Sequence, residues 1–188
     1  MTEQLIEYIK KTVLQTDIDK VELDRCFQLK TLKKNETLLS FNSICRNYYF
    51  VNKGVLRVYF IHEGEECTSW FAFENYFFTE LESYINETFS NYCIIAVEKC
   101  EILEISKSNI DAVFSKYKWW QEFLLFTQQQ TILKLIETIK SFQTLSANDR
   151  YQDLFKHPDF LQRTTQKDLA KMLGITKHTL SRLRKNKQ

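Results

Sequence analysis

Two hydrophobic periods divide the chain. Leu5, Ile9 and Val13 recur at helical spacing and predict a helix over residues 2–16, with a second short one near Ile18–Arg25. From about Leu29 to Ser106 the period falls to two. The candidate strands are Glu36–Phe41, Arg46–Lys53, Val55–His62, Glu65–Ala72, Tyr92–Glu98 and Glu101–Ser106. In the third of these, Leu56, Val58, Phe60 and His62 alternate with Arg57, Tyr59 and Ile61. Lys53-Gly54 and Glu63-Gly64 mark tight hairpin turns. Six or more short strands with close turns predict an antiparallel sandwich or barrel.

The helical period then returns. Ser106 or Ser108 can cap a helix over Lys107–Tyr117, and a longer helix over Lys118–Leu145 contains no Gly or Pro. Along it Leu125, Ile132 and Ile139 recur every seven residues, and Gln128, Leu135 and Phe142 do so three positions later. This is an a/d seam, which predicts a helix that pairs with its copy in a homodimer. A second stripe of Trp119, Phe123, Phe126, Leu133 and Ile136 is expected to bury itself against the strand region. The alternative is a single wide face buried within one subunit. Ser146 can cap a further helix over Ala147–His157, which Pro158 is expected to end.

The pattern therefore predicts an α+β chain. An N-terminal antiparallel β-roll or jelly-roll with flanking helices fills residues 1–117, a dimerisation helix residues 118–145, and a helical unit residues 146–188. Hydrophobic residues make up 44% of the chain while Gly and Pro number three and one, which favours a packed core over disorder. The amphipathic N-terminus is no signal peptide and no apolar run approaches a membrane span, so a cytoplasmic protein is expected. The five cysteines, Cys26, Cys45, Cys67, Cys93 and Cys100, are scattered, with no CxxC pair and no neighbouring histidine. They read as free thiols acting as small hydrophobes. His62, His157 and His178 lie far apart, so neither a metal or iron–sulfur centre nor an enzyme of the metal-dependent β-barrel kind is expected, and the chain reads as a non-enzyme.

Chemistry concentrates at the C-terminus. Residues 163–187 read RTTQKDLAKMLGITKHTLSRLRKNK. Leu169, Ala170 and Leu173 share one helix face, Gly174 supplies a turn, and Ile175 packs into the corner. Thr176 can cap the second helix, whose Leu180 and Leu183 face the core. Lys177, His178, Thr179, Ser181, Arg182, Arg184 and Lys185 are left outward. Ala170 lets two steeply crossed helices approach. This is the spacing of a helix-turn-helix, whose second helix enters the DNA major groove; an αα-hairpin with a solvated basic face is the plainer alternative. Residues 162–188 carry a net charge of +7 in a chain of +2, leaving −5 for the rest. Such an end attracts phosphate by counterion release.

A β-roll, a long helix and RTTQKDLAKMLGITKHTLSRLRK in this order resemble the Crp/Fnr family of bacterial transcription regulators over nearly the whole chain. The stretch TSWFAFENYFFTELESY and the stop soon after the recognition helix resemble the short subgroup typical of Bacteroidetes. The resemblance implies a cyclic-nucleotide cassette in which a Phe-Gly-Glu-Leu turn and an Arg-Ser/Thr pair hold the phosphate and ribose. Phe77-Phe78-Thr79-Glu80-Leu81 aligns with the turn, with Thr79 in place of the glycine; Ser90 and Asn91 fall at the arginine pair, and no arginine lies between Arg57 and Arg150. Thr79, Glu80, Leu81, Ser90 and Asn91 are therefore the candidate effector residues, but cyclic AMP is not expected to bind in the usual way. The aromatics Trp70, Phe71, Phe73, Phe77, Phe78 and Tyr84 read as core or as lining for an apolar pocket. The cysteines do not cluster as in the oxygen-sensing branch of the family, and haem sensing has no support beyond His62.

The resemblance implies a homodimer on a pseudo-palindromic site of double-stranded DNA, with RNA polymerase as a further partner, a small-molecule effector left open, and no cofactor. Lys177, His178 and Arg182 match the base-reading positions, with Arg182 suited to guanine O6 and N7. His178 stands where relatives often carry a glutamate. Thr165, Thr176, Ser181 and Lys185 suit phosphates, and Gln166 and Lys167, opening the first helix, suit the DNA backbone. A wing is either absent or supplied by residues around Pro158–Gln162. A β-roll interaction module and a ligand-independent DNA-binding protein are the rival readings.

Overall fold

A computed structural model describes residues 1–14 and 17–185, with the backbone alone at Lys185. Two short helices, α1 (Glu3–Val13) and α2 (Lys20–Cys26), precede eight strands. The strands are β1 (Phe27–Leu32), β2 (Thr37–Leu39), β3 (Asn47–Lys53), β4 (Leu56–His62), β5 (Glu65–Ala72), β6 (Phe77–Phe78), β7 (Cys93–Ala96) and β8 (Cys100–Ser106), with α3 (Leu81–Asn86) between β6 and β7. Then follow α4 (Lys107–Lys116), α5 (Lys118–Thr144), α6 (Ala147–Asp153), a 3-10 turn, α7 (Pro158–Arg163), α8 (Gln166–Met172) and α9 (Lys177–Lys185).

The strands form two antiparallel four-stranded sheets, ordered β1-β8-β3-β6 and β2-β7-β4-β5. Between them lies a core of Leu32, Leu38, Val51, Leu56, Val58, Phe78, Ile94 and Ile102. The first sheet is covered on its outer face as well, where Phe27, Phe50, Phe77, Leu103 and Ile105 meet Leu5 and Ile9 of α1 and Trp119, Trp120 and Phe123 of α5. Burial on both faces explains why Tyr49, Phe50 and Val51 run without a polar interruption. Two strand-level features escape the periodicity. β1 has an outer edge of Gln28, Leu29 and Thr31, all exposed, and is fixed by its pairing with β8 some 70 residues away rather than by local pattern. β6 is only two residues long and pairs with β3 at Tyr49 and Phe50.

Caps place the helix starts. Ser106 accepts a hydrogen bond from the Asn109 N–H, and Ser146 and Asp149 form a reciprocal capping box. Two sequence expectations need correction. Pro158 begins α7 rather than ending a helix through His157, because proline lacks only an N–H that the first helical turn does not use. The preceding α6 ends at Asp153 and passes through a 3-10 turn at Leu154–Lys156.

The second correction concerns α5. Its 27 residues extend about 40 Å at 1.5 Å per residue, farther than the sheet it lies on. Trp119 and Phe123 are buried and Phe126 is half-buried, but Leu133 and Ile136 stand exposed, contrary to a stripe buried throughout against the β-roll. Every residue from Gln128 to Lys140 is exposed.

Gly54, between β3 and β4, has φ +96°, and an added Cβ would lie 2.6 Å from Cys100 Sγ and 2.8 Å from the Lys99 carbonyl. Gly54→Ala is expected to destabilise the protein by about 2–4 kcal/mol, because backbone strain and a clash against strand backbone act together. Urea unfolding measures this directly; a loss under about 0.5 kcal/mol would mean that the turn relaxes around the methyl group.

Candidate nucleic-acid interface

The C-terminal unit is built on a small core of its own. Tyr151 of α6, Leu169 and Ala170 of α8, Leu173 just after α8 and Leu180 of α9 are buried together, with Leu154, Phe160, Leu161, Ile175 and Leu183 packed around them. Thr165 starts α8: its Oγ1 accepts from the Asp168 N–H at 3.1 Å and donates to the Asp168 carboxylate at 2.7 Å. At the other end Gly174, φ +69°, donates to the Lys171 carbonyl and Ile175 to the Ala170 carbonyl. This pair of bonds is a Schellman closure, which turns the chain sharply without leaving carbonyls unpaired. Thr176 then caps α9 by accepting from the Thr179 N–H at 3.1 Å.

This closure sets what α9 presents. Leu180 is fully buried, while Lys177, His178, Arg182 and Arg184 are exposed and Thr179 and Ser181 half-exposed. Thr165, Gln166, Lys167 and Thr176 are also exposed, although the hydroxyls of Thr165 and Thr176 are engaged as caps. The Lys185 side chain lies outside the described residues. Among the described residues, no carboxylate pairs with Lys177, Arg182 or Arg184. Other cations of this unit face the β-roll: Arg163 holds Glu74 and Glu98, and Lys171 pairs with Glu65. The charge counted along the sequence is thus divided, part joined to the β-roll and part open on α9. Partial burial pushes the Glu74 carboxyl up, but hydrogen bonds from Arg163 and from backbone N–H groups outweigh it, so its pKa is lowered. Residues Pro158–Gln162 lie in α7 and so form no wing strand.

Pattern did not reveal how α5 meets this unit. The Arg150 guanidinium donates to the Leu145 carbonyl at 2.7 Å and to the Leu173 carbonyl at 3.3 Å, and lies 4.4 Å from the Phe142 ring centre. One side chain therefore ties the end of α5 to the end of α8. Phe142 also approaches within 3.5 Å of a Cβ built at Gly174. The seam residues Leu125, Gln128, Ile132, Leu135 and Ile139 all stand exposed on α5, Ile132 and Ile139 at 56% and 57%, and Phe142 is 48% exposed.

The candidate effector residues come together around α3, with their polar groups already joined internally. Glu80, 4% exposed, accepts from the Ser83 N–H and caps α3. Thr79 donates to the Asn47 carbonyl at 2.8 Å. Ser90 donates to the Tyr92 carbonyl at 2.8 Å and accepts from the Tyr92 N–H at 3.1 Å. Asn91 donates to Glu82, and Leu81 is exposed. Arg57, the arginine nearest in sequence, points to α8 instead. The aromatics do not line one pocket: Phe77 belongs to the outer core, Phe78 to the inner one, Tyr84 packs on Tyr48, Trp70 on Tyr92, and Phe71 and Phe73 on Phe160. All five cysteines are free. Among the described residues no group of His, Cys, Asp and Glu could hold a metal, and no helix is long and apolar enough to cross a membrane.

Residues 29–117 match the family described as the cyclic nucleotide-binding domain. Curated protein sequences give no match to the chain. Solved structures give the fold. A CooA variant from Carboxydothermus hydrogenoformans superposes with a TM-score of 0.72 at 17% identity, covering 95% of this chain and 83% of that one. CLP, a c-di-GMP-responsive global regulator from Xanthomonas campestris, gives 0.70 at 16% identity, covering 90% and 92%. A protein from Eubacterium rectale described as a transcriptional regulator of the crp/fnr family gives 0.69 at 15%, covering 90% and 83%. The chain thus has the fold of Crp/Fnr regulators, a mixed helical and antiparallel structure around a cyclic-nucleotide-type β-roll.

Ala170, 1% exposed at the α8–α9 crossing, has no room for a larger side chain. Ala170→Leu is expected to cost about 1–3 kcal/mol by overpacking and to unsettle the C-terminal unit first. Amide spectra should lose dispersion for residues 146–185 while β-roll resonances hold; unmoved shifts throughout would contradict the close crossing.

Proposed function

We propose that the chain is a homodimeric, sequence-specific DNA-binding transcription regulator of the Crp/Fnr type. In this reading residues 1–117 are the sensor-type β-roll, residues 118–145 the dimerisation helix, and residues 146–188 a helix-turn-helix unit. One observation carries it: a Schellman-closed turn over Ala170 leaves Lys177, His178, Arg182 and Arg184 on the open face of α9, with no carboxylate joined to Lys177, Arg182 or Arg184 among the described residues. The regulatory roles named for CLP and the Eubacterium rectale protein support the same reading.

Two copies of the exposed stripe Leu125, Ile132, Leu135, Ile139 and Phe142 would bury each other, with Gln128 at the one polar seam position. The two α9 helices would then meet half-sites about 34–36 Å apart, one turn of duplex. Lys177, His178 and Arg182 read bases; Thr165, Gln166, Lys167, Thr176, Thr179, Ser181, Arg184 and Lys185 serve the phosphates, those with capped hydroxyls through backbone N–H groups or as acceptors rearranged on contact. RNA polymerase is the further partner of a regulator of this kind.

The internal bonding of Glu80, Thr79 and Ser90 favours activity without cyclic AMP. Ser90 and Asn91, at the family's arginine pair, cannot supply the charge-assisted hydrogen bond that an arginine gives a phosphate, a contribution of roughly 1.5–3 kcal/mol. Calorimetric titration with cyclic AMP is expected to give no binding at micromolar concentrations; a micromolar Kd would return the protein to the nucleotide-sensing kind.

Selection of bound duplexes from a random pool tests the main reading. Pseudo-palindromic sites with half-sites one turn apart are expected, bound by a species of twice the chain mass in light scattering. Recovery of no consensus, or a monomer on DNA, would reject it. Against the selected site Arg182→Ala is expected to cost about 1–3 kcal/mol and to relax one base position; an equal loss on every sequence would make Arg182 a phosphate contact.

A further inference from the structure

We propose that the outer face of β4–β5 is a docking platform that fixes the direction in which α9 points, with Arg163 and Arg57 as positioning residues for DNA recognition. The inference rests on the DNA-binding reading above. α8 packs against β5, and the contacts between the two parts combine ion pairs with an aromatic cluster. Arg163, at the end of α7, forks onto the Glu74 carboxylate at 2.9 and 2.6 Å and reaches Glu98 at 2.5 Å. It thereby spans the β5–β6 and β7–β8 turns at once. Glu74 is itself steadied by the Gly54 N–H at 2.7 Å. Arg57 of β4, 4% exposed, donates to Thr68 at 2.9 Å and Glu66 at 2.7 Å, and its Nε lies 3.3 Å from Asp168 in the first turn of α8. Lys171 pairs with Glu65 at the β4–β5 hairpin. Phe160 fills the space between, its ring centre 4.8 Å from that of Phe73 and 6.2 Å from that of Phe71.

Isolated surface ion pairs contribute little. These differ in geometry: one arginine is bidentate and shared between two carboxylates, and the other is covered by the helix it pairs with. Three ion-paired anchors together with the Phe160 contacts resist tilt of the unit more than any one pair would. The platform does not hide the recognition face, since Lys177, His178, Arg182 and Arg184 are exposed with the unit docked. Its effect is on the second half-site. With both heads held at a set angle, binding of one raises the effective concentration of the other at its half-site; a loose head loses that advantage.

The test uses the full-length protein, the palindromic duplex recovered by selection, and the same duplex with one half scrambled. Arg163→Glu is expected to expand the free protein in small-angle X-ray scattering. It should weaken the two-site duplex tenfold or more and leave the one-site duplex within twofold. Arg163→Lys, which keeps the charge but not the fork, should fall between. Circular dichroism confirms that both variants are folded. Unchanged scattering, equal losses on the two duplexes, or tighter binding to the palindrome would each overturn the platform's positioning role. Absence of duplex binding by the native protein would overturn the DNA-binding reading itself, a result the scattering keeps separate from docking.

Discussion

The structure depends on one sheet being buried on both faces. The order β1-β8-β3-β6 gives the β-roll half of its inner core and at the same time offers Phe27, Phe50, Phe77 and Leu103 outward to the helices. Trp120 and Phe123 seat the first turns of α5 on that outer surface, with Trp120 edge-on to Phe27 and Phe77. Aromatic contacts of this kind supply large apolar area with defined ring angles, so the direction of the helix is set where it is anchored. The remainder of α5 follows as a continuation and carries an exposed apolar surface from Leu125 to Ile139. An exposed stripe of that length is unusual on a monomer.

The C-terminal unit hangs on two attachments of different character. Arg150 and Phe142 join it to the end of α5 through carbonyl hydrogen bonds and ring stacking. Arg163, Arg57 and Lys171 join it to the β-roll through ion pairs. The first joins neighbouring helices of the chain's last third; the second brings together residues 65 or more positions apart and depends on the tertiary fold. Between them, Arg163 and Lys171 are ion-paired with the β-roll, while among the described residues Lys177, Arg182 and Arg184 of α9 have no carboxylate partner. A net charge of +7 read along residues 162–188 therefore overstates the field facing a nucleic acid, while its placement on α9 keeps the part that matters for recognition.

The polar groups around α3 are joined within the chain. Glu80 caps α3 through its carboxylate. Ser90 closes on the backbone of Tyr92. These internal partners offset the cost of burying the polar groups.

Local patterns determined much of this. The helical repeats, the glycine turns and the caps at Ser106, Ser146 and Thr176 rest on interactions spanning four residues or fewer, and they are written in the sequence because their physics is local. The outward residues of α9 were legible for the same reason: Leu180 must turn inward, and 100° per residue then places the rest. What sequence could not give were elements and contacts that depend on distant partners. β1 exists because β8 pairs with it, α5 outruns its support because the sheet ends where it does, and Arg57 and Arg163 find their carboxylates only after the β-roll has closed. Those outcomes were settled by long-range geometry, since neither hydrogen-bond ladders between remote strands nor charges meeting across a domain interface leave a periodic trace in the chain.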